Sequence, residues 1–223
     1  MSKRKITFIH TSPAALDPVK NFYAEAAPEL EATNLLDDGL LRLLAAMNYD
    51  VVEDRLSEMV KAARDSYEAD LIMITCSSVT QAMVEKLSGA CSVPILKIDE
   101  PMAREAVKAG GRVGVAVTFE PTIEPTSKLL RDTAARSRAE IEIVTEVMPD
   151  AYDALLAGDF HTHDALLLEG IGRLVDQNVN AIVLAQVSMA RIMKQLNGKF
   201  QVPVLTSLHT SLSAVREMLG ADV

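Results

Sequence analysis

The stretch ITCSSVTQ (Ile74–Gln81) sets a thiol at the end of an apolar run and follows it with two hydroxyls. A free thiol ionises near pH ~8.5 and is lowered at the start of a helix, which yields a base or nucleophile usable near neutrality. Ser77 and Ser78 would offer hydroxyl and amide N–H groups to a small carboxylate. Packing is the competing reading, because free cysteine is among the most buried residue types. A helical pattern directly after the two serines favours the chemical reading for Cys76. Three other turns stand in equivalent places: His10-Thr11-Ser12 and the segment from Thr118 to Thr122, both also rich in hydroxyls, and Gln186-Val187-Ser188. His10 and His209 are side chains that titrate near neutrality and could act as a second acid or base.

The elements that must position these residues follow from hydrophobic patterning. Short apolar runs predict strands at Lys5–Ile9, Glu31–Leu35, Leu71–Thr75, Pro94–Ile98, Arg112–Val117, Glu140–Val147, Ala181–Ala185 and Pro203–Thr206. Helical patterns separate most of them; Leu56, Met59, Val60, Ala63 and Tyr67 fall on one helical face. Strands alternating with helices mean βαβ units and a mainly parallel sheet, and near-continuous apolar runs mean strands covered on both faces.

The chain also repeats itself. The run from Ala69 matches the run from Val179 at an offset of 110, and Val93-Pro94 matches Val202-Pro203 at 109. Glu105-Ala106-Val107 matches Ser213-Ala214-Val215 at 108, and the run ending at Thr11 matches that ending at Thr118 at 107. The expected fold is therefore α/β with two similar lobes related by a pseudo-two-fold, each a four-stranded mainly parallel sheet flanked by helices. The lobes are placed at 1–98, joined by a C-terminal helix at 210–223, and at 99–209. Ligands of open parallel sheets bind beyond the carboxyl ends of the strands, so facing lobes would gather the four turns at one cleft.

Composition narrows the partners. A net charge of −9 with no basic block beyond Lys3–Lys5 argues against nucleic acid. No apolar run approaches a membrane span and no apolar leader is visible, so a cytoplasmic protein is expected, with Cys76 and Cys91 reduced. Self-association is left open. AGGRVGV runs into a strand and not out of one, so it lacks the context of a dinucleotide loop. His161 and His163 in FHTHD are too few for a metal motif and are read as solvated turn residues before a helix at Asp164. Asp99 and Glu100 either face the cleft or start the next helix. No cofactor is expected.

With GVAVTFEPT, ITCSSVTQ and HTSPAALDPVKNFY in these places, the whole chain resembles the aspartate/glutamate/hydantoin racemase superfamily. The resemblance implies cofactor-independent removal and return of a proton beside a carboxylate, by two cysteines that flank the substrate carbon, one from each lobe. Cys76 matches the first-half cysteine. The second-half position is Gln186, and an amide cannot exchange a proton at neutral pH. Arylmalonate decarboxylases of the superfamily keep only the second-half cysteine, whereas maleate isomerases use the first-half thiol as a nucleophile. The reading is an enzyme acting on a small amino or organic acid, with Cys76 as base or nucleophile and one-faced isomerase, decarboxylase or lyase chemistry. The catalytic set is Cys76, Gln186, His10 and His209. The substrate set is Thr11, Ser12, Ser77, Ser78, Thr118, Thr122, Val187 and Ser188, and metal ligands are absent. The alternatives are a racemase pairing Cys76 with a histidine, and a non-catalytic carboxylate-binding protein.

Overall fold

The computed structural model describes residues 3–196 and 198–220. The described residues fall into two compact units, one within Met1–Ile98 and Ser211–Val223, the other Asp99–Thr210. All eight expected strands are present, with each end within one residue of its expected limit.

In the first unit the strands are β1 (Arg4–His10), β2 (Leu30–Leu36), β3 (Leu71–Ile74) and β4 (Ile95–Lys97). They form one parallel sheet in the order β2-β1-β3-β4. Its helices are α1 (Pro13–Ala26), α2 (Leu40–Ala45), α3 (Tyr49–Asp65) and α4 (Gln81–Ala90). Every residue of β3 is buried, as are the last five of β1, because helices cover both faces of the sheet centre. The outer strand β2 is only partly covered. Val52, Leu56, Val60 and Ala63 form the buried stripe of α3 and pack in one core with Ile9, Ile72 and Ile74. Each of the valine, leucine and isoleucine side chains contributes about 1.5–3 kcal/mol by leaving water. Tyr67 departs from the expected stripe: α3 ends at Asp65, and the tyrosine lies past it, 42% exposed.

The second unit repeats this topology. After α5 (Glu100–Ala109) come β5 (Gly111–Val117), α6 (Ile123–Ser137), β6 (Ile141–Val147), α7 (Pro149–Leu156), α8 (Phe160–Asp176) and β7 (Ala181–Leu184). A 3-10 turn (Val187–Ile192), α9 (Met193–Leu196), β8 (Val204–Thr206) and α10 (Ser207–Leu219) follow. The sheet is again parallel, ordered β6-β5-β7-β8. From Ser211 onward α10 belongs to the first unit, where the Ser211 hydroxyl lies 2.8 Å from the Tyr23 hydroxyl and Arg216 donates to Ala26 O at 2.8 Å.

Candidate functional site

At the carboxyl end of β3 the chain does not enter a helix at once. Cys76 is followed by a turn, in which the Val79 N–H donates to Cys76 O at 3.3 Å. Thr80, in extended backbone geometry, then caps α4 by accepting from the Met83 N–H at 3.3 Å. The expectation of a helix beginning directly after the two serines is thereby corrected. Thr80 takes the capping role because its hydroxyl satisfies an otherwise unpaired N–H of the first turn. The positive end of α4 is thus displaced from the thiol along the chain. Cys76, Ser77 and Ser78 are all buried.

The neighbouring strand β1 delivers His10, Thr11 and Ser12. Ser12 caps α1, accepting from the Ala14 N–H at 3.3 Å, and Thr11 is buried. His10 is fully buried and engaged at both ring nitrogens. Nε2 donates to Asn34 Oδ1 at 2.9 Å, and Nδ1 lies 2.8 Å from the Thr75 hydroxyl, which also reaches Ile9 O at 3.1 Å. Burial pushes the imidazole pKa down, against the opposing pull of Asn34. His10 therefore ties together the ends of β2, β1 and β3. One residue here was not anticipated: Lys97, the last residue of β4, is 1% exposed and places its Nζ 3.4 Å from Ser77 O.

In the second unit, Gln186 stands two residues past the end of β7, as Cys76 stands two past the end of β3. Its Oε1 accepts from the Thr118 N–H at 3.1 Å. Its Nε2 donates to Thr122 Oγ1 at 3.1 Å and approaches Phe119 O at 3.5 Å. The amide clamps the turn after β5 to the turn after β7, and nothing in it moves a proton at neutral pH. Thr118 and Thr122 are buried, as are Val187 and Ser188 in the 3-10 turn. The hydroxyls of Thr118 and Ser207 are buried without a hydrogen-bond partner. His209, in the first turn of α10, is exposed and sets Nδ1 2.8 Å from the Thr206 hydroxyl; partial desolvation pushes its pKa down. Asp99 is buried at the N-cap of α5, with Glu100 opening the helix.

The FHTHD segment is not a solvated turn, which corrects that expectation. Asp159 caps α8 by accepting from the Thr162 N–H at 3.0 Å, so the five residues lie inside the helix's start. His163 is fully buried, and its Nδ1 is 2.8 Å from Asp164 Oδ1. Asp164 also accepts from Arg191 Nε and Gln195 Nε2, each at 2.8 Å, which latches α8 to the 3-10 turn and α9. Among the described residues, no group of three or more His, Cys, Asp or Glu is arranged to hold a metal ion, and no helix is long and apolar enough to cross a membrane. An open groove of about 600 Å³ lies at the end of β2, lined by Asp37, Asp38, Asp54 and Glu58 against Arg55. Its charge is the wrong sign for a carboxylate, and it contains none of the expected site residues.

The model of the Asp/Glu/Hydantoin racemase family matches residues 23–215. A glutamate racemase of Vibrio campbellii is 21% identical over all of this chain and 74% of its own length. Among solved structures, an allantoin racemase from Klebsiella pneumoniae superposes with a TM-score of 0.74 at 16% identity, covering 98% of this chain and 88% of that one. A glutamate racemase isoform from Bacillus anthracis gives 0.72 at 16% identity, covering 99% and 84%. An arylmalonate decarboxylase gives 0.68 at 15% identity, covering 98% and 94%. These structures share the fold of paired four-stranded parallel sheets flanked by helices, and their names span racemases and a decarboxylase. The family match covers most of the chain, so this protein belongs to the Asp/Glu/Hydantoin racemase family.

Proposed function

We propose that this protein is a cofactor-independent enzyme acting at the carbon beside the carboxylate of a small amino or organic acid. Cys76 serves as its base or nucleophile. The observation that carries this reading is the asymmetry between two equivalent positions. Cys76 lies in a buried turn with Ser77 and Ser78, whereas Gln186 has both ends of its amide committed to Thr118, Thr122 and Phe119. One exchangeable group supports chemistry on one face of the substrate carbon: isomerisation, decarboxylation with protonation, or elimination. The hydroxyls of Thr11, Ser12, Ser77 and Ser78, with those of Thr118, Thr122 and Ser188, are of the type that holds a carboxylate.

A racemase using Cys76 with a histidine is the second reading, and one observation directs it to His209. His10 has both ring nitrogens hydrogen-bonded inside its sheet, whereas His209 is exposed. Turnover of a panel of small amino and organic acids by the unaltered protein and by Cys76→Ala tests the assignment. The expected result is a loss of about 10³-fold or more in the variant, as for removal of a positioned base or nucleophile. Full activity in Cys76→Ala would return the cysteine to a packing role.

A further inference from the structure

We infer that Lys97 is a positioning residue of the Cys76 turn: its buried ammonium pins the Ser77 carbonyl and so aims the Ser78 N–H at an arriving carboxylate. The inference rests on the carboxylate chemistry proposed above and adds the group that organises it. Lys97 pairs in register with Ile74, the last residue of β3, so its side chain starts beside the strand that leads into Cys76. The side chain is 1% exposed and its Nζ is 3.4 Å from Ser77 O. An ammonium group taken out of water is heavily penalised unless its charge is used.

The fold itself does not demand a lysine there. In the second unit the same register position, opposite Leu184 at the end of β7, is held by Thr206. The lysine belongs to the half that carries the thiol. A trans peptide is planar, with its C=O and N–H pointing in opposite directions. Holding Ser77 O against the ammonium therefore turns the N–H of that same peptide, which belongs to Ser78, away from Lys97. A charge-assisted bond to the carbonyl also polarises the peptide, making its N–H a stronger donor. With the start of α4 displaced to Gln81, Lys97 supplies the positive charge at this turn that a helix end would otherwise provide.

The test uses the full chain carrying Cys91→Ala, so that iodoacetamide reports on Cys76 alone. Acetate, malonate and succinate are titrated as protectants of Cys76 in this protein and in its Lys97→Arg and Lys97→Met variants. In Lys97→Met the concentration giving half protection should rise about tenfold, the usual scale for losing a hydrogen bond to a charged group. Lys97→Arg should recover most of that loss, and in turnover Lys97→Met should raise KM more than it lowers kcat. Half protection at unchanged concentration in a folded Lys97→Met would overturn the inference, as would a change confined to melting temperature. Should Lys97→Met not fold, NMR of lysines carbon-13 labelled at Cε reads Lys97 in the parent protein. Its resonance should move on adding succinate, and a fixed resonance while Cys76 becomes protected would overturn the inference. Protection that depends on Lys97 together with full turnover in Cys76→Ala would instead sink the thiol-base reading and leave Lys97 in place.

Discussion

Accessibility and chemistry rank the two thiols in opposite orders. Cys76 is 8% exposed in its turn, while Cys91, at the C-cap of α4, is the more open. If access alone governed alkylation, Cys91 would react first. A thiol poised as base or nucleophile reverses that order, because the thiolate is the reacting species. In the folded protein, iodoacetamide followed by peptide mapping should find Cys76 labelled about tenfold faster than Cys91. Labelling led by Cys91 would make burial the whole explanation of Cys76. At this scale the sequence reveals residue types but not their partners. Cys76 is legible because a thiol between an apolar run and two serines is unusual. Lys97 is not, since a lysine closing a short strand reads as a stem lying on the sheet with its charge in water. Its burial depends on the turn after β3, twenty residues earlier in the chain. Gln186 is legible as a missing cysteine, but its clamp on Thr118 and Thr122 requires the register of β5 against β7.

Elements were readable where burial imposes a uniform pattern and unreadable where capping decides. Parallel strands covered on both faces are nearly continuous apolar runs, and β3, β7 and most of β5 announce themselves in that way. Helix starts depend on one hydrogen bond, and Ser77, Ser78 and Thr80 are all competent caps; the structure uses Thr80. The same choice at Asp159 converts FHTHD from a turn into the first residues of α8 and buries His163. The Asp164 latch is therefore an element-scale device with a measurable pH signature. Desolvation opposes its ionisation, but hydrogen bonds from His163 and Gln195 and the Arg191 guanidinium outweigh it, holding the carboxyl below its ordinary 3.8. A carboxyl lowered on folding stabilises the fold above its unfolded value, and the contribution is lost as pH falls through the folded one. Asp164→Asn should cost about 1–3 kcal/mol at pH 7 by weakening three charge-assisted bonds. It should also flatten the stability loss of the unaltered protein below pH 3.8. Denaturant unfolding at pH 7 and across pH 2.5–5 measures both effects, and parallel pH profiles would remove Asp164 as the source.

Over the whole molecule, the two halves share strand order and differ in the side chains at the ends of their third and fourth strands. Cys76 and Lys97 in one correspond to Gln186 and Thr206 in the other. A repeat is visible in sequence because the same four-stranded unit needs the same apolar spacing twice. The difference in side-chain chemistry is equally visible, although its consequences are stereochemical. Under the single-thiol chemistry proposed above, a proton would leave and return on one face of the substrate carbon. In heavy water, one mirror form of a substrate should take up deuterium while keeping its configuration, and the other should exchange slowly or not at all. Gln186→Cys restores the cysteine that the family pattern places in the second half, and racemisation should rise about tenfold or more on gaining a second base. The same change removes the acceptor of the Thr118 N–H and the donor to Thr122, at a cost of about 1–2 kcal/mol in stability. Chiral chromatography with mass detection follows exchange and racemisation together, and unfolding by denaturant reads the stability cost. Cys76→Ala should abolish exchange where Gln186 is retained, since serine and threonine hydroxyls are far too weak as bases at neutral pH, and with Gln186→Cys it should leave exchange only on the face that the introduced thiol serves. Rapid racemisation by the unaltered protein would assign the second face to another group. His209 is then the first residue to replace, because desolvation lowers its imidazole pKa and so favours the neutral ring.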